Sequence, residues 1–352
     1  FNIGFDVWMT PSTQSTCDLM LPLTTVAERD GVVFTHYSSL PVTYGIMTPA
    51  IKRIGETKSD MELGWELGRR LQPEFWSQYT DFEDFVSKFR LMGKMSLSEA
   101  REKVCIQRGH TYRKYEKGLL RGDGQLGFNT PTGRVELWSF GFDHWGVDPL
   151  PYHIEPPESP LSTPNTFKEF PIILSGGGRS FEFFHSEHRQ LPTMREFHPW
   201  PLVMVNPADC EKYGVKDGEW IWVENSRGAR FKQKVKATIE VQPGRIHAEH
   251  GWWFPEQDGA EPNFYGTYDS NLNNMTEAFR TGQGGIGSAI KSMICKIYPY
   301  RDGDVMPGEQ VTRRGGFGDW TRGAMRGSKV DEAPAPNPSS VGAVFEETPA
   351  VE

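Results

Sequence analysis

The chain has 352 residues, 37% of them hydrophobic and 37 of them glycine, with a formal net charge of −8 and a pI near 5.7. Such length and composition fit a folded protein of two or three domains with enough chain to bury a substantial core. The acidic balance argues against a nucleic-acid partner, which needs a dense basic surface, and no apolar run is long enough to predict a transmembrane segment.

The chain starts Phe-Asn-Ile-Gly-Phe-Asp, without an initiator Met and in what reads as mid-strand, so a fragment or processed piece of something longer is expected. Residues 1–7 form an apolar strand, 12–16 are small and polar, and 18–22 form a second strand ended by Pro22. Behind Ser59-Asp60, the apolar side chains Met61, Leu63, Leu67 and Leu71, with Trp65 between them, predict a helix over 59–71. This order gives residues 1–75 the pattern of the end of an α/β domain.

From 76 to 165 the signal weakens. Two helices are expected, over 82–92 and 96–108, and the five prolines of 148–163 make that stretch an extended connector.

Residues 166–301 are patterned more densely. A strand over 170–174 runs into Ser-Gly-Gly-Gly-Arg at 175–179, and a second strand covers 202–205. Asn206-Pro207 supplies a helix cap with proline in the first turn, and Gly214 a stop. Strands over 219–224, 229–241 and 246–249 are separated by turns at 225–228 and 242–245. Arg230, Lys232, Lys234 and Lys236 alternate with Phe231, Val235, Ala237, Ile239 and Val241, so this basic cluster is the solvent face of a half-buried strand. Closely spaced short strands of this kind predict a compact β-barrel. Residues 302–352, rich in Gly, Arg, Pro and Ser, read as a flexible tail.

The glycine run matters for chemistry. Three glycines after Pro171-Ile172-Ile173-Leu174 and before Arg179 would let backbone N–H groups approach a bulky anion, with His185 and Ser186 adding side-chain donors. Taken alone, such glycines more often close an ordinary turn. Neither GxGxxG nor GxxxxGK[ST] is present, so the dinucleotide and P-loop fingerprints are missed. Cys17, Cys105, Cys210 and Cys295 are widely spaced with no CxxC pair, which supports neither a zinc site, an iron–sulfur cluster nor a disulfide framework.

Several motifs in order resemble the C-terminal part of the catalytic subunit of the DMSO reductase family, molybdenum and tungsten enzymes carrying bis-molybdopterin guanine dinucleotide. Asp6, Thr10-Pro11 and Cys17-Asp18-Leu19-Met20-Leu21-Pro22 resemble "TxTAxxADVVLP", with Cys17 where alanine is usual, and Glu28-Arg29-Asp30-Gly31 stands at "E-x-x-G". His36-Tyr37 departs from the asparagine-containing sequence usual at that place. Phe128-Asn129-Thr130-Pro131-Thr132-Gly133-Arg134-Val135-Glu136 resembles "F-x-T-P-T/S-G-K-x-E". The run 175–179 with His185-Ser186 stands for "T-G-R … H-T/S", and Asn206-Pro207-Ala208-Asp209 with Gly214-Val215-Lys216-Asp217-Gly218 for "N-P-x-D-A … G-I-x-D-G-D". Pro243-Gly244, Gly251-Trp252-Trp253 and the 270–276 stretch resemble "P-G-x-V … G-W-W" and "N-x-N-x-L-T". The flavour of the match, including His-Ser-Glu-His-Arg-Gln at 185–190, is that of the branch holding acetylene hydratase, pyrogallol transhydroxylase and the catechol dehydroxylases.

The resemblance implies an α/β piece followed by a mostly β domain, the latter a double-psi β-barrel over 166–301. It implies that Gly177, Gly178, Arg179, His185 and Ser186 meet the pterin and its pyrophosphate and that Asn271 and Asn273 read a flat heterocycle. In the family, the 4Fe-4S cysteines and the residue that ligates the molybdenum or tungsten lie N-terminal to anything matched here, so no metal ligand is assigned. By itself the chain is expected to bind part of the cofactor and catalyse nothing. The family further implies a small-molecule substrate, reductive dehydroxylation or hydroxyl transfer as the reaction type, and an iron–sulfur electron-transfer partner. It leaves cytoplasmic residence and twin-arginine export both open.

Plainer readings stand beside these. His185 can be a surface histidine next to Phe183-Phe184, Asn271 and Asn273 a polar turn, and one of Trp252 and Trp253 a core side chain with the other half exposed. His247 and His250 are candidates for acid–base work. The stretch 191–200, with Arg195, Glu196, His198 and Trp200, is either a lid or irregular surface. From another class, a noncatalytic double-psi binding or adaptor module is the rival; a hydrolase lacks a GxSxG elbow or a nucleophilic cysteine signature.

Overall fold

The computed structural model describes residues 1–34, 42–91, 93–276 and 291–304; His36-Tyr37 and nearly all of the expected tail lie outside them. The chain divides into two units, Phe1–Leu150 and Pro151–Glu352, the cut falling inside the proline-rich stretch.

In the first unit, β1 (Ile3–Asp6) and β2 (Leu19–Pro22) pair in parallel. The small polar residues between them form a helix, Pro11–Thr16, because Thr10 and Thr13 exchange a capping box and Pro11 sits in the first turn. Helix Asp60–Leu71 begins at Ser59 through a second capping box with Glu62 and buries Trp65, which stacks on Phe85 at 5.6 Å. The helix expected over 82–92 is a short α-helix, Phe82–Phe85, continued by a π-helical turn, Val86–Arg90.

The helix expected over 96–108 is corrected. It covers only Leu97–Lys103; Val104 turns to φ 57 and Cys105–Arg108 becomes a strand. β3 (Gly31–Phe34), β4 (Val42–Met47) and this β5 form an antiparallel sheet, and pairing to β4 outweighs continuation of a helix at a β-branched residue.

In the second unit six strands close a ring. They are β6 (Ile172–Gly178), β7 (Leu202–Val205), β8 (Trp220–Glu224), β9 (Arg230–Ala237), β10 (Arg245–Glu249) and β11 (Met293–Pro299), in the order β10-β6-β11-β8-β9-β7. Pairs β10/β6 and β7/β9 are parallel and the rest antiparallel. Alternate residues point inward, so Ile172, Leu174, Val203, Val205, Phe231 and Ile246 meet in one core. The opposite row of β9 lies over aromatic rings as expected for an outer face: Arg230 is 4.1 Å from Trp222, Lys232 4.7 Å from Tyr300, and Lys234 4.8 Å from Trp200. Asn206 accepts from the Ala208 N–H and Gly214 takes φ 66, so helix Pro207–Tyr213 starts and stops where its cap residues dictate.

Two further expectations change, and one strand is new. β6 does not stop at Leu174 but continues through the glycines, with Gly176 opposite Ala248 and Gly178 opposite Glu249. Gly177, at φ 85, is the extra residue of a bulge, a conformation that glycine takes without strain. β9 ends at Ala237 rather than 241, and β11, which closes the ring between β6 and β8, has no counterpart in the sequence reading.

Candidate functional site

Because β6 and β10 are parallel neighbours, their carboxyl ends emerge together. Arg179 follows Gly178 on one and His250 follows Glu249 on the other. The loop over 179–191 folds back over this edge and sets His185 Nδ1 2.7 Å from His250 Nε2. Arg179 is exposed and lies 4.6 Å from the ring of Phe184. Among the described residues neither Arg179 nor His185 makes an ion pair, so a basic residue and an imidazole pair share one edge with their polar atoms uncommitted to carboxylates.

Burial, then the neighbouring His185 and, more weakly, Arg189 and Arg179, hold the His250 imidazole below its ordinary pKa, while the Gly178 backbone beside it pulls the other way. Its Nδ1 is buried without a hydrogen-bond partner among the described residues. One strand turn back, His247 Nδ1 is 2.8 Å from Ser175 Oγ, and Lys291 Nζ donates to the Gly176 carbonyl at 2.9 Å. Burial and Lys291 lower the His247 pKa as well. A Cβ on Gly178 would lie 2.0 Å from His247 Nε2, so a side chain there would have to displace that imidazole.

The remaining expected residues gather at the same edge in different roles. Ser186 is exposed, and its carbonyl accepts from Trp253 Nε1 at 2.8 Å. Asn271 Oδ1 accepts from the Gly251 N–H at 3.3 Å and the Asn273 N–H at 3.0 Å, which leaves its Nδ2 as the group able to face a ligand. Asn273 is exposed. Trp252 and Trp253 are both buried, contrary to the alternation expected, because Gly251 at φ 66 ends the extended run before them. The 191–200 stretch is pinned: His198 is 3.0 Å from Glu249 and Arg195 2.9 Å from Glu256.

Sequence reasoning passed over Arg189. It is buried in the corner formed by the rings of Phe183 and Trp252, which meet edge to face at 5.5 Å, and donates to the His185 carbonyl at 2.9 Å. Nothing in local spacing signals this, since Trp252 joins it only through the fold.

The barrel and much of the chain before it are similar to known proteins. Residues 173–293 match the family described as "Molydopterin dinucleotide binding domain". Acetylene hydratase of Syntrophotalea acetylenica is 32% identical over 75% of this chain and 35% of its own length. Dopamine dehydroxylase of Eggerthella lenta is 31% identical over 72% of this chain and 23% of its own length. The dimethyl sulfoxide/trimethylamine N-oxide reductase of Rhodobacter capsulatus is 24% identical over 85% and 38%. The solved structure of acetylene hydratase from Pelobacter acetylenicus superposes with a TM-score of 0.73 at 27% identity, covering 85% of this chain and 40% of that one. The chain thus spans between about a quarter and two-fifths of the relatives it matches. With the barrel matched to a pterin dinucleotide-binding family and most of both units matched to molybdopterin oxidoreductases and a hydratase, the chain belongs to the DMSO reductase family.

Proposed function

We propose that the barrel edge formed by the ends of β6 and β10 holds a dinucleotide arm of a bis-molybdopterin guanine dinucleotide cofactor, in a double-psi barrel, as part of a molybdenum or tungsten enzyme. The observation that carries this is the meeting of Arg179, His185 and His250 at one edge, unpaired with carboxylates, in the segment matched to the dinucleotide-binding family. The donor set fits a pyrophosphate: the exposed Arg179 guanidinium and the imidazole of His185, which is exposed and backed by His250. Asn271 Nδ2 would meet a polar ring edge, and the close-packed glycines of β6 leave backbone, not side chains, at the rim.

When bound, such a cofactor supplies a metal centre for redox or oxygen-transfer chemistry. The work of these residues is to bind and orient it: Arg179 and His185 by donating to anionic oxygens, Ser186 through its hydroxyl, Gly177 and Gly178 by close backbone approach. The names of two relatives that each match more than 70% of this chain, a hydratase at 32% identity and a dehydroxylase at 31%, support a reaction that adds or removes the elements of water or hydroxyl on a small organic substrate.

The test is to express the protein, with whatever flanking sequence its gene encodes, in a host that makes the cofactor. Bound pterin is then measured by its fluorescence after oxidative release, guanylate by chromatography, and molybdenum and tungsten by mass spectrometry. Pterin and guanylate should co-purify, and Arg179→Ala and His185→Gln should each reduce both. Protein that carries neither above the level of an unrelated control sinks the reading.

A further inference from the structure

The most buried cation at this edge is held by backbone carbonyls. Arg189 is 3% exposed, and its guanidinium carbon lies 4.0 Å from the centroid of Phe183 and 4.4 Å from that of Trp252. Among the described residues it makes no ion pair. Its donors go to backbone: Nη2 to the carbonyls of His185 at 2.9 Å and His250 at 3.4 Å, and Nη1 to that of Glu187 at 3.5 Å. Its Nε is buried without a partner. Burial pushes its pKa down to about 10, with the charge of Glu249 acting in the opposite sense.

A buried cation without an ion pair is an unfavourable way to fill space, and an apolar side chain of similar volume between two aromatic rings is often neutral or stabilising. What an apolar residue lacks is a donor, and here a single nitrogen, Nη2, lies within reach of two separate carbonyls. Those carbonyls belong to the two residues whose imidazoles face each other, His185 and His250. His185 also sits at φ 54, where a residue with a side chain needs its surroundings to hold it. The two loops pack backbone against backbone there: a Cβ on Gly251 would stand 3.2 Å from both the His185 carbonyl carbon and the Ser186 nitrogen.

We infer that Arg189 is a positioning residue, whose guanidinium fixes the backbones of His185 and His250 so that the imidazole pair is presented at the barrel edge. The inference rests on the proposed function, in that His185 is taken to meet the ligand. Lysine would keep the charge but not the flat guanidinium face packed against the two rings.

The experiment compares Arg189→Met, Arg189→Lys and His185→Gln with the unmodified protein in three measurements. These are the thermal midpoint, pterin retained on purification, and the affinity of cofactor-free protein for inorganic pyrophosphate across pH. Arg189→Met should keep or raise the thermal midpoint while pyrophosphate affinity falls about tenfold, the worth of one charge-assisted hydrogen bond, with a shifted pH profile. Arg189→Lys should lose affinity comparably, showing that charge alone does not rescue. A lowered midpoint with unchanged affinity and pH profile in the folded protein means a merely structural arginine and overturns the inference. If Arg189→Met fails to fold, Arg189→Lys decides: full affinity overturns the inference, reduced affinity supports it. Loss in His185→Gln without loss in either Arg189 variant sinks the positioning role alone. Unchanged affinity and pterin content in His185→Gln sinks the site itself.

Discussion

The two units bury apolar surface in different ways. In the second, alternate residues of six strands point into a ring with no free edge, and Phe231 at its centre is 0% exposed. In the first, strands fall into a two-stranded parallel sheet and a separate three-stranded one, and the buried side chains divide into two small clusters, one with Val32 and Ile46 and one with Trp65 and Phe85, while Leu137 stays outside both at 85% exposed. Closure is what separates them: it satisfies every strand edge and gives each inward side chain partners on all sides. Small open sheets leave one face without cover.

The largest effect should therefore come from the barrel core. Phe231→Ala should destabilise the second unit by about 3–5 kcal/mol, whereas Leu137→Ala in the first should stay within about 0.5 kcal/mol. Urea unfolding followed by fluorescence checks both, and equal losses would break the contrast. A smaller loss, about 1–3 kcal/mol, is expected for Gly178→Ala, because its methyl group would displace His247 from Ser175. In a His247→Ala background the same change should become nearly neutral; persistence of the loss would show that the bulge, not the imidazole, requires glycine.

What could be read from sequence in each unit follows the range of the forces involved. Ser59 with Glu62, and Asn206 with Pro207 and Gly214, act within one helical turn, and those helices start or stop where the residues indicate. Partners chosen at a distance were not legible. β5 joins β4 across some sixty residues of chain, β11 slots between β6 and β8, and the glycines of β6 look like a turn until β10 is seen to pair with them. The site divides the same way. Arg179 and His185 were reachable through motif order, but the contact of His185 with His250 spans 65 residues, and Arg189 acquires meaning only once Phe183 and Trp252 enclose it. Asn271 is expected from motif order to read a flat heterocycle, but that the fold engages its oxygen internally and leaves only its amide nitrogen depends on Gly251, twenty residues away.

The smallest expected effect sharpens the contrast by pH. Burial lowers the pKa of both His247 and His250 from the ordinary 6.5, so the folded barrel binds their protons less readily than the unfolded chain does. Their neutral forms are then part of the stable fold. That contribution is fully present above about pH 6.5, and is lost as pH falls below the unfolded value toward the lower folded one. Both groups are only half-buried, so screening keeps the effect modest. The melting transition of the second unit, followed between about pH 8 and pH 5, should fall on the acid side. The fall should flatten in a His247→Gln, His250→Gln double variant. An identical slope in the variant would assign the acid sensitivity to carboxylates elsewhere, and would remove the imidazoles from what distinguishes this barrel from the unit before it.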